Sequence, residues 1–181
     1  MPRRILQLKV SLTDTTPLVW RRVLVPGGYT LDRVHRVLQY AMGWQDCHLH
    51  SFEADGRQYG PPDPDELLQQ ADELDTRLDA VVGKGDRLSY TYDFGDWWQH
   101  DIRVEDVLEA APGERYPLCV AGEHACPPED VGGPSGYAEF RVALADPAHP
   151  RHAELREWVG AAHASIRFDP GRVSTLLRRL T

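Results

Sequence analysis

The chain has 181 residues, enough for one domain with a sizeable core and too few for two large ones. Its 41% hydrophobic and 27% charged residues are typical of a soluble globular protein. No apolar run approaches the roughly 20 residues that span a bilayer, and no secretory leader is evident, so we expect a cytoplasmic protein without a membrane partner. The net charge of −8 argues against nonspecific binding to nucleic acid, although arginines near the start leave a local basic face open.

Two strands are predicted before the first helix. Apolar and polar residues alternate over 6–12, which is the period of a half-buried strand. A second strand is predicted over 18–25, with Arg21 on one face and Arg22 on the other. We expect both arginines to pack their aliphatic stems on the sheet and to hold their charges in water.

A helix is predicted over 31–42, because apolar residues three and four apart form one stripe. Thr30 suits the N-cap and Gly43 suits the end of this helix. His35 and Tyr40 lie off the apolar stripe, so we expect them at the surface or at its boundary.

A short strand with two histidines follows the helix. His48 and His50 are two residues apart, so on a strand they project from the same face. That arrangement is compatible with metal binding and also with an ordinary polar edge. Asp55-Gly56 indicates a hairpin turn, and the acidic, proline-rich segment 61–75 is predicted to be a helical or loosely ordered mobile insertion.

The densest group of polar and aromatic side chains is the nine-residue motif YDFGDWWQH at 92–100. Strand alternation precedes this motif over 88–92 and resumes over 98–104, which predicts a hairpin with the motif at its tip. Trp97 and Trp98 are consecutive and face opposite sides on a strand. One of them is expected in the core, and the other is available as a stacking surface.

The segment 112–136 is rich in glycine and proline and has no clear period. A structureless loop of this length is typically functional, folded around a ligand or disordered. Helices are predicted after it over 137–144, 150–159 and 170–180, the last with Asp169 as its N-cap.

The three cysteines favour a reducing compartment, since they are odd in number and include no CxxC pair. Cys119, His124 and Cys126 do not form a convincing zinc site, because their spacing is unlike that of structural zinc sites and no fourth ligand is evident.

Familiar catalytic signatures are absent from the sequence. Asp93-Phe94-Gly95 matches the metal-binding tripeptide of protein kinases, but neither a glycine-rich phosphate loop nor an HRD-type catalytic loop accompanies it. The residues that we select for a candidate binding cleft carry charged, imidazole or indole groups on separate segments: Arg21, His48, His50, Asp93, Asp96, Trp98, His100, Glu129 and Asp130.

Carboxylates and imidazoles in this set have the chemistry to hold a divalent cation, and the candidate metal ligands are Asp93, Asp96, His100 and Glu129. The same groups can instead clamp the glycine-rich loop by hydrogen bonds, or line a ligand cleft without catalysis. The sequence leaves these three alternatives open, and it identifies no cofactor beyond the divalent metal and no partner.

Three blocks of this chain resemble the plasmid pRiA4b ORF-3-like family, which is related to passenger proteins of an insertion element. They are PLVWRR at 17–22 with the helix and HLHSF that follow, YTYDFGDWWQH at 90–100, and PLC at 117–119 with CPPEDVGG at 126–133. The resemblance covers nearly the whole chain and implies a compact α+β domain. It implies no established activity.

The sequence therefore predicts a single α+β domain over 1–181, with a largely antiparallel sheet packed against helices. Our leading interpretation of function is a cytoplasmic bacterial binding or accessory module associated with mobile genetic elements, an association implied by the resemblance alone. The alternative is a metal-dependent hydrolase or nuclease with a carboxylate and histidine site. Whether the protein is an enzyme is left undecided by the sequence.

Overall fold

The computed structural model describes residues 4–62, 70–164 and 167–180. These residues form eight strands: β1 (Arg4–Leu12), β2 (Val19–Pro26), β3 (His50–Ala54), β4 (Arg57–Gly60), β5 (Ala71–Asp72), β6 (Arg87–Tyr92), β7 (Trp98–Glu109) and β8 (Leu118–Glu123). They also form five helices: α1 (Leu31–Met42), α2 (Leu78–Val81), α3 (Gly133–Ala145), α4 (His152–Ala164) and α5 (Pro170–Leu177).

All eight strands belong to one sheet, in the order β5-β4-β3-β6-β7-β1-β2-β8. Every pairing is antiparallel except that of β4 with β5. The predicted α+β architecture with a largely antiparallel sheet is therefore confirmed. The YDFGDWWQH motif joins β6 to β7, as the hairpin prediction required.

The core lies on one face of the sheet, because alternate residues of each strand turn to opposite sides. Leu8 and Val10 of β1 are fully buried and belong to the same hydrophobic cluster as Leu31 and Val34 of α1. Gln7, Lys9 and Ser11 of β1 are partly exposed, and we call their side of the sheet the outer face. An antiparallel sheet can be solvated on one face in this way.

The two tryptophans of the motif separate as predicted. Trp98 is fully buried, whereas Trp97 is 53% exposed and lies in the turn rather than on the strand. His100 follows Trp98 in phase on β7 and is also buried. At the C-terminal end, Asp169 caps α5 as predicted, since its Oδ1 accepts hydrogen bonds from the backbone N–H groups of Gly171 and Arg172.

The expected exposure of two residues was wrong. Arg21 is buried, and its guanidinium donates to the backbone carbonyls of Ala41, Trp20 and Glu123 and lies 4.2 Å from the centre of the Phe168 ring. His35 is buried too. Polar partners make this burial tolerable, because His35 Nδ1 lies 2.8 Å from the Tyr90 hydroxyl and Nε2 lies 2.7 Å from Asp46 Oδ1.

The predicted loop over 112–136 was partly wrong, because β8 lies inside it and pairs with β2. Most of the predicted mobile insertion, 63–69, lies outside the described residues, and the short strand β5 follows at Ala71–Asp72. In the part of the chain that the structure describes, no helix combines the length and the apolar composition that a bilayer crossing requires.

Candidate metal centre

Three loops meet at one end of the sheet. They are 43–49 between α1 and β3, the hairpin tip 93–97, and 124–132 between β8 and α3. Trp44 donates an indole N–H bond to the Pro127 carbonyl, so the first loop is fixed to the third. The chain thus brings together segments that are far apart in sequence.

The local fold of the hairpin tip aims one oxygen of Asp93 out of the turn. Asp93 has a left-handed backbone with φ of 56°, and its Oδ1 accepts a 2.9 Å hydrogen bond from the N–H of Gly95. The Asp93 N–H donates to the carbonyl of Leu49, which ties the tip to the histidine loop. This is the short-range bonding typical of an aspartate in a turn, and Oδ2 has no backbone partner among the described residues.

The tip is also clamped to the loop before α3. The N–H of Gly132 donates a 3.0 Å hydrogen bond to Asp96 Oδ2. Asp96 is thereby used as a structural acceptor, which is one of the alternatives that the sequence left open.

Glu129 bonds on one side and is free on the other. Its Oε1 accepts hydrogen bonds from the N–H of Gln45 at 2.8 Å and from the Tyr92 hydroxyl at 3.2 Å. Its Oε2 is buried and has no hydrogen-bond partner among the described residues. The Glu129 side chain is only 10% exposed, so the free oxygen is held inside the junction rather than in water.

His48 is surrounded by three carboxylates. Its Nε2 lies 3.2 Å from Asp130 Oδ1, 3.6 Å from Asp93 Oδ2 and 3.9 Å from Glu129 Oε2. This nitrogen is buried and makes no hydrogen bond of acceptable geometry within the described residues. One imidazole nitrogen and three carboxylate oxygens therefore converge on a small volume.

The donor atoms of two overlapping sets each lie within 4.8 Å of one another: His48, Asp93 and Asp130 in one, and Cys47, His48 and Glu129 in the other. Imidazole, carboxylate and thiol groups are ligands of zinc and other divalent transition metals. The two sets share His48, which makes this histidine the centre of the cluster.

The Tyr92 hydroxyl stabilises the cluster through two hydrogen bonds. It accepts a 3.1 Å hydrogen bond from the N–H of Cys47 and donates to Glu129. Burial raises the pKa of Tyr92 far above its usual range, so the hydroxyl keeps its proton as a donor to the carboxylate.

The structure places the other predicted site residues elsewhere. Asp96 and His100 belong to neither set of potential ligands. His100 is buried beside the carbonyls of Tyr90 and Trp98, and burial lowers the pKa of His100 to about 4. Arg21 is bonded to the backbone carbonyls of Ala41, Trp20 and Glu123, away from this cluster. Trp98 belongs to the core.

His48 and His50 do not share a strand face, because β3 begins at His50 and His48 lies in the preceding loop. His50 Nε2 lies 2.8 Å from Glu73 Oε2, and its ring stacks on that of His35 with 3.5 Å between centroids. The sequence interpretation missed Cys47 and Tyr92. Their only signals were the position of Cys47 beside His48 and the position of Tyr92 at the end of a predicted strand.

Comparison with known proteins identifies relatives over nearly the whole chain. The family model described as "Plasmid pRiA4b ORF-3-like protein" matches residues 4–176. The uncharacterized protein y4hQ of Sinorhizobium fredii is 44% identical over 167 residues, which are 90% of this chain and 84% of that protein. The crystal structure of MM3350, a protein of unknown function from Methanosarcina mazei Go1, is similar with a TM-score of 0.87 and 34% identity, covering 96% of this chain and 99% of MM3350.

Proposed function

This chain belongs to the plasmid pRiA4b ORF-3-like family, and we propose that it binds a divalent transition-metal ion through His48, Asp93, Glu129 and Asp130. One observation carries the proposal. Glu129 Oε2 and His48 Nε2 are buried, lack hydrogen bonds within the described residues, and face each other at 3.9 Å.

Leaving such groups unpaired is costly, since a buried polar atom without a partner loses roughly 1–3 kcal/mol, and more if it is charged. A positive charge on His48 alone would not balance the negative charge of the site, because three carboxylates surround one imidazole. A divalent cation bonded to these atoms supplies the missing positive charge and satisfies both atoms at once.

The spacing of the donors suits a small cation. Two ligands at about 2.1 Å from a tetrahedral zinc ion lie about 3.4 Å apart. The distances from His48 Nε2 to the three carboxylates, 3.2 Å, 3.6 Å and 3.9 Å, bracket that value. A set of one imidazole with carboxylates favours Zn²⁺ or Mn²⁺ over an ion that prefers oxygen ligands alone.

The proposed activity of this centre is metal-assisted hydrolysis. The site is open on one side, since the side chain of Asp130 is 71% exposed and that of His48 is 28% exposed. Four protein ligands fill a tetrahedral ion, so water would bind only to an ion that takes a fifth ligand. An ion with such a position would lower the pKa of the bound water to near 7 and make it a nucleophile. Ester and phosphodiester hydrolysis are the reactions that this chemistry supports.

Calorimetric titration of untagged, chelator-stripped protein with Zn²⁺ and Mn²⁺ tests metal binding. We expect saturable binding and an increase in melting temperature, because a ligand that binds only the native state stabilises it. Glu129→Gln and His48→Gln should weaken binding by about tenfold or more. Asp96→Asn is the matched control: it removes one charge from the same hairpin tip, keeps an oxygen acceptor for Gly132, and should bind metal as the wild type does.

A wild-type protein that neither binds nor melts higher with either metal would contradict the proposal. Equal weakening by Asp96→Asn and Glu129→Gln would also contradict it, because general electrostatics would then explain the binding. Hydrolysis is tested separately, with nitrophenyl esters and phosphodiesters as substrates. We expect metal-dependent turnover that is lost in Glu129→Gln and kept in Asp96→Asn.

An association with mobile genetic elements and a cytoplasmic location complete the proposal. The first is supported by the plasmid in the family's description, and the second by three free cysteines. Deletion of the gene should change the frequency of transfer or maintenance of an element that carries it, and an unchanged frequency would contradict the association.

A further inference from the structure

The outer face of the sheet carries a row of four cations on four adjacent strands. Lys9 of β1 pairs directly with Arg22 of β2 on one side and with Arg103 of β7 on the other, and Arg103 pairs with Arg87 of β6. Directly paired residues point to the same face of a sheet. With adjacent strands about 4.8 Å apart, the row spans about 14 Å.

Like charges that face each other across strands destabilise a sheet, and among the described residues carboxylates form ion pairs only with the two ends of this row. Arg22 forms a two-bond pair with Glu105, and Arg87 bonds to Asp101. The two central cations, Lys9 and Arg103, have no carboxylate within ion-pair distance among the residues that the structure describes. Both can still attract an external anion, although Glu105, whose pKa is lowered mainly by Arg22 and also by Lys9, offsets part of the Lys9 charge.

An aromatic ring adjoins one central cation, Lys9, and one end cation, Arg22. The Trp20 ring centre lies 5.3 Å from Lys9 Nζ and 5.4 Å from Arg22 Cζ, and the ring is partly exposed on the same face. Since these contacts leave part of the indole in solvent, a second flat group can stack beside the cations.

We propose that this outer face binds single-stranded nucleic acid, with phosphates over Lys9 and Arg103 and a base stacked on Trp20. The net charge of −8 opposes a polyanion over most of the surface, so charge complementarity confines binding to this face, where Lys9 and Arg103 stand side by side. The exposed ring favours a single strand over a duplex, since only unpaired bases offer their faces for stacking. An acidic protein supplies the charge but no regular series of flat rings.

This surface is independent of the metal centre. Arg87 and Arg103 are paired near the far end of the β6–β7 hairpin, whereas Asp93 lies at its tip. Six residues of β6 separate the two ends, which is about 20 Å along a strand. Binding to the outer face therefore requires no metal, and the two proposals can fail separately.

Fluorescence anisotropy of labelled oligothymidylate of about 15 nucleotides, measured with the intact chain in EDTA, tests the proposal. Two phosphate contacts predict a salt slope of about −1.4, which weakens binding by about sevenfold between about 50 and about 200 mM KCl. We expect Lys9→Gln and Arg103→Gln each to weaken binding by about fivefold, and Arg103→Lys to keep most of it. Trp20→Ala should weaken binding by about fivefold at every salt concentration, without changing the slope.

Arg36→Gln is the matched control, because it makes the same charge change on an exposed residue of α1, outside the sheet. Unchanged binding in this control, together with losses in the row variants that melt like the wild type, supports the proposal. Equal losses in Arg36→Gln and Arg103→Gln would overturn it, as would wild-type binding by Arg103→Gln. Equal affinity for a duplex or for polyglutamate would also overturn it, since neither offers unpaired bases.

Discussion

Gly133 lies directly against the backbone of Asp96. A Cβ atom on Gly133 would come within 2.5 Å of the Asp96 carbonyl oxygen, and Gly133 also has a left-handed φ of 67°. The neighbouring Gly132 donates its N–H to the Asp96 carboxylate. A close backbone contact and a hydrogen bond to the Asp96 carboxylate therefore hold the hairpin tip against the loop that carries Glu129 and Asp130.

Gly133→Ala should separate these two segments. We expect a loss of roughly 2–3 kcal/mol in the free energy of unfolding. The new methyl group collides with the Asp96 backbone, which cannot move aside by a side-chain rotation. That loss corresponds to a decrease in melting temperature of about 4–12 °C. Metal affinity should fall as well, since the loop brings two of the proposed ligands.

Gly113→Ala measures the cost of a left-handed backbone alone, without a steric collision. Gly113 has a φ of 81° and no heavy atom within 4 Å of the position of a Cβ. Its replacement by alanine should lower the free energy of unfolding by only about 1 kcal/mol. Equal melting temperatures for the two alanine variants would show that the contact with Asp96 is not what matters.

Cys47 should report metal binding through its reactivity. Cys119 and Cys126 are buried, and burial raises the pKa of Cys119 to about 11 and that of Cys126 to about 12, whereas Cys47 is exposed. A thiol reagent should therefore label one cysteine rapidly in the native protein. Addition of Zn²⁺ should slow this labelling by about tenfold or more, because the Cys47 thiol lies within 4.8 Å of donors on His48 and Glu129.

Mass spectrometry of the labelled peptide measures the rate, and Cys47→Ser should abolish the rapid phase. In Glu129→Gln the protection should require a higher zinc concentration. A labelling rate that zinc leaves unchanged in the wild type, at concentrations that saturate the protein, would exclude Cys47 from the neighbourhood of the bound ion.

Tyr92→Phe should weaken the metal centre without unfolding it. The variant loses the hydrogen bond to Glu129 and leaves the N–H of Cys47 without its acceptor. We expect a cost of roughly 1–2 kcal/mol in stability and a severalfold loss of metal affinity. Calorimetry and thermal melting measure the two effects.

Tyr116→Phe is the control for this variant. Tyr116 is also buried, and its hydroxyl accepts one hydrogen bond, from Ala111, in a smaller cluster away from the metal centre. Its replacement should lower stability without changing metal affinity. An equal loss of metal affinity in Tyr92→Phe and Tyr116→Phe would argue that Tyr92 does not stabilise the metal centre.

His100 should make stability depend on pH below neutrality. Burial lowers the pKa of His100 to about 4, against about 6.5 for an unperturbed histidine. Between these values the unfolded chain binds a proton that the folded chain excludes. The contribution of His100 to stability is therefore complete above about pH 6.5 and falls by up to about 3 kcal/mol as the pH decreases towards 4.

Urea unfolding at a series of pH values measures this dependence. His100→Leu removes the titrating group, so its stability should decrease less steeply than that of the wild type over this range. His124→Asn replaces an exposed histidine and should keep the wild-type slope. A His100→Leu slope as steep as that of the wild type would assign the dependence to other groups.

Periodicity predicted the parts of this protein that one strand or helix determines by itself. The phase of β7 placed Trp98 and His100 on the buried face, and that same burial keeps both out of the metal centre. Two-residue spacing failed for His48 and His50, because the chain after Gly43 runs irregularly and only His50 reaches a strand. The sequence predicts the face on which a side chain lies only where it also predicts the strand or helix that carries it.

The strand β8 shows why a glycine-rich segment was mistaken for loop. Gly122 lies inside this strand, where a Cβ would come within 2.6 Å of both the Phe168 ring and the Trp20 carbonyl. Close packing between distant segments requires this glycine, and a local pattern carries no information about such packing. The meeting of His48 with Glu129 and Asp130 is equally non-local, so the sequence supplied the candidates without their arrangement.

The position of β1 inside the sheet has a consequence for synthesis. β1 pairs with β2 at once, but its other edge waits for β7, which begins about 85 residues later. At ~5–20 residues per second, the nascent chain carries an unpaired inner edge for about 4 to 17 s. Such an edge is a template for pairing with another chain. Ribosome-bound fragments that end before Trp98 should therefore depend on chaperones more strongly than those that include β7.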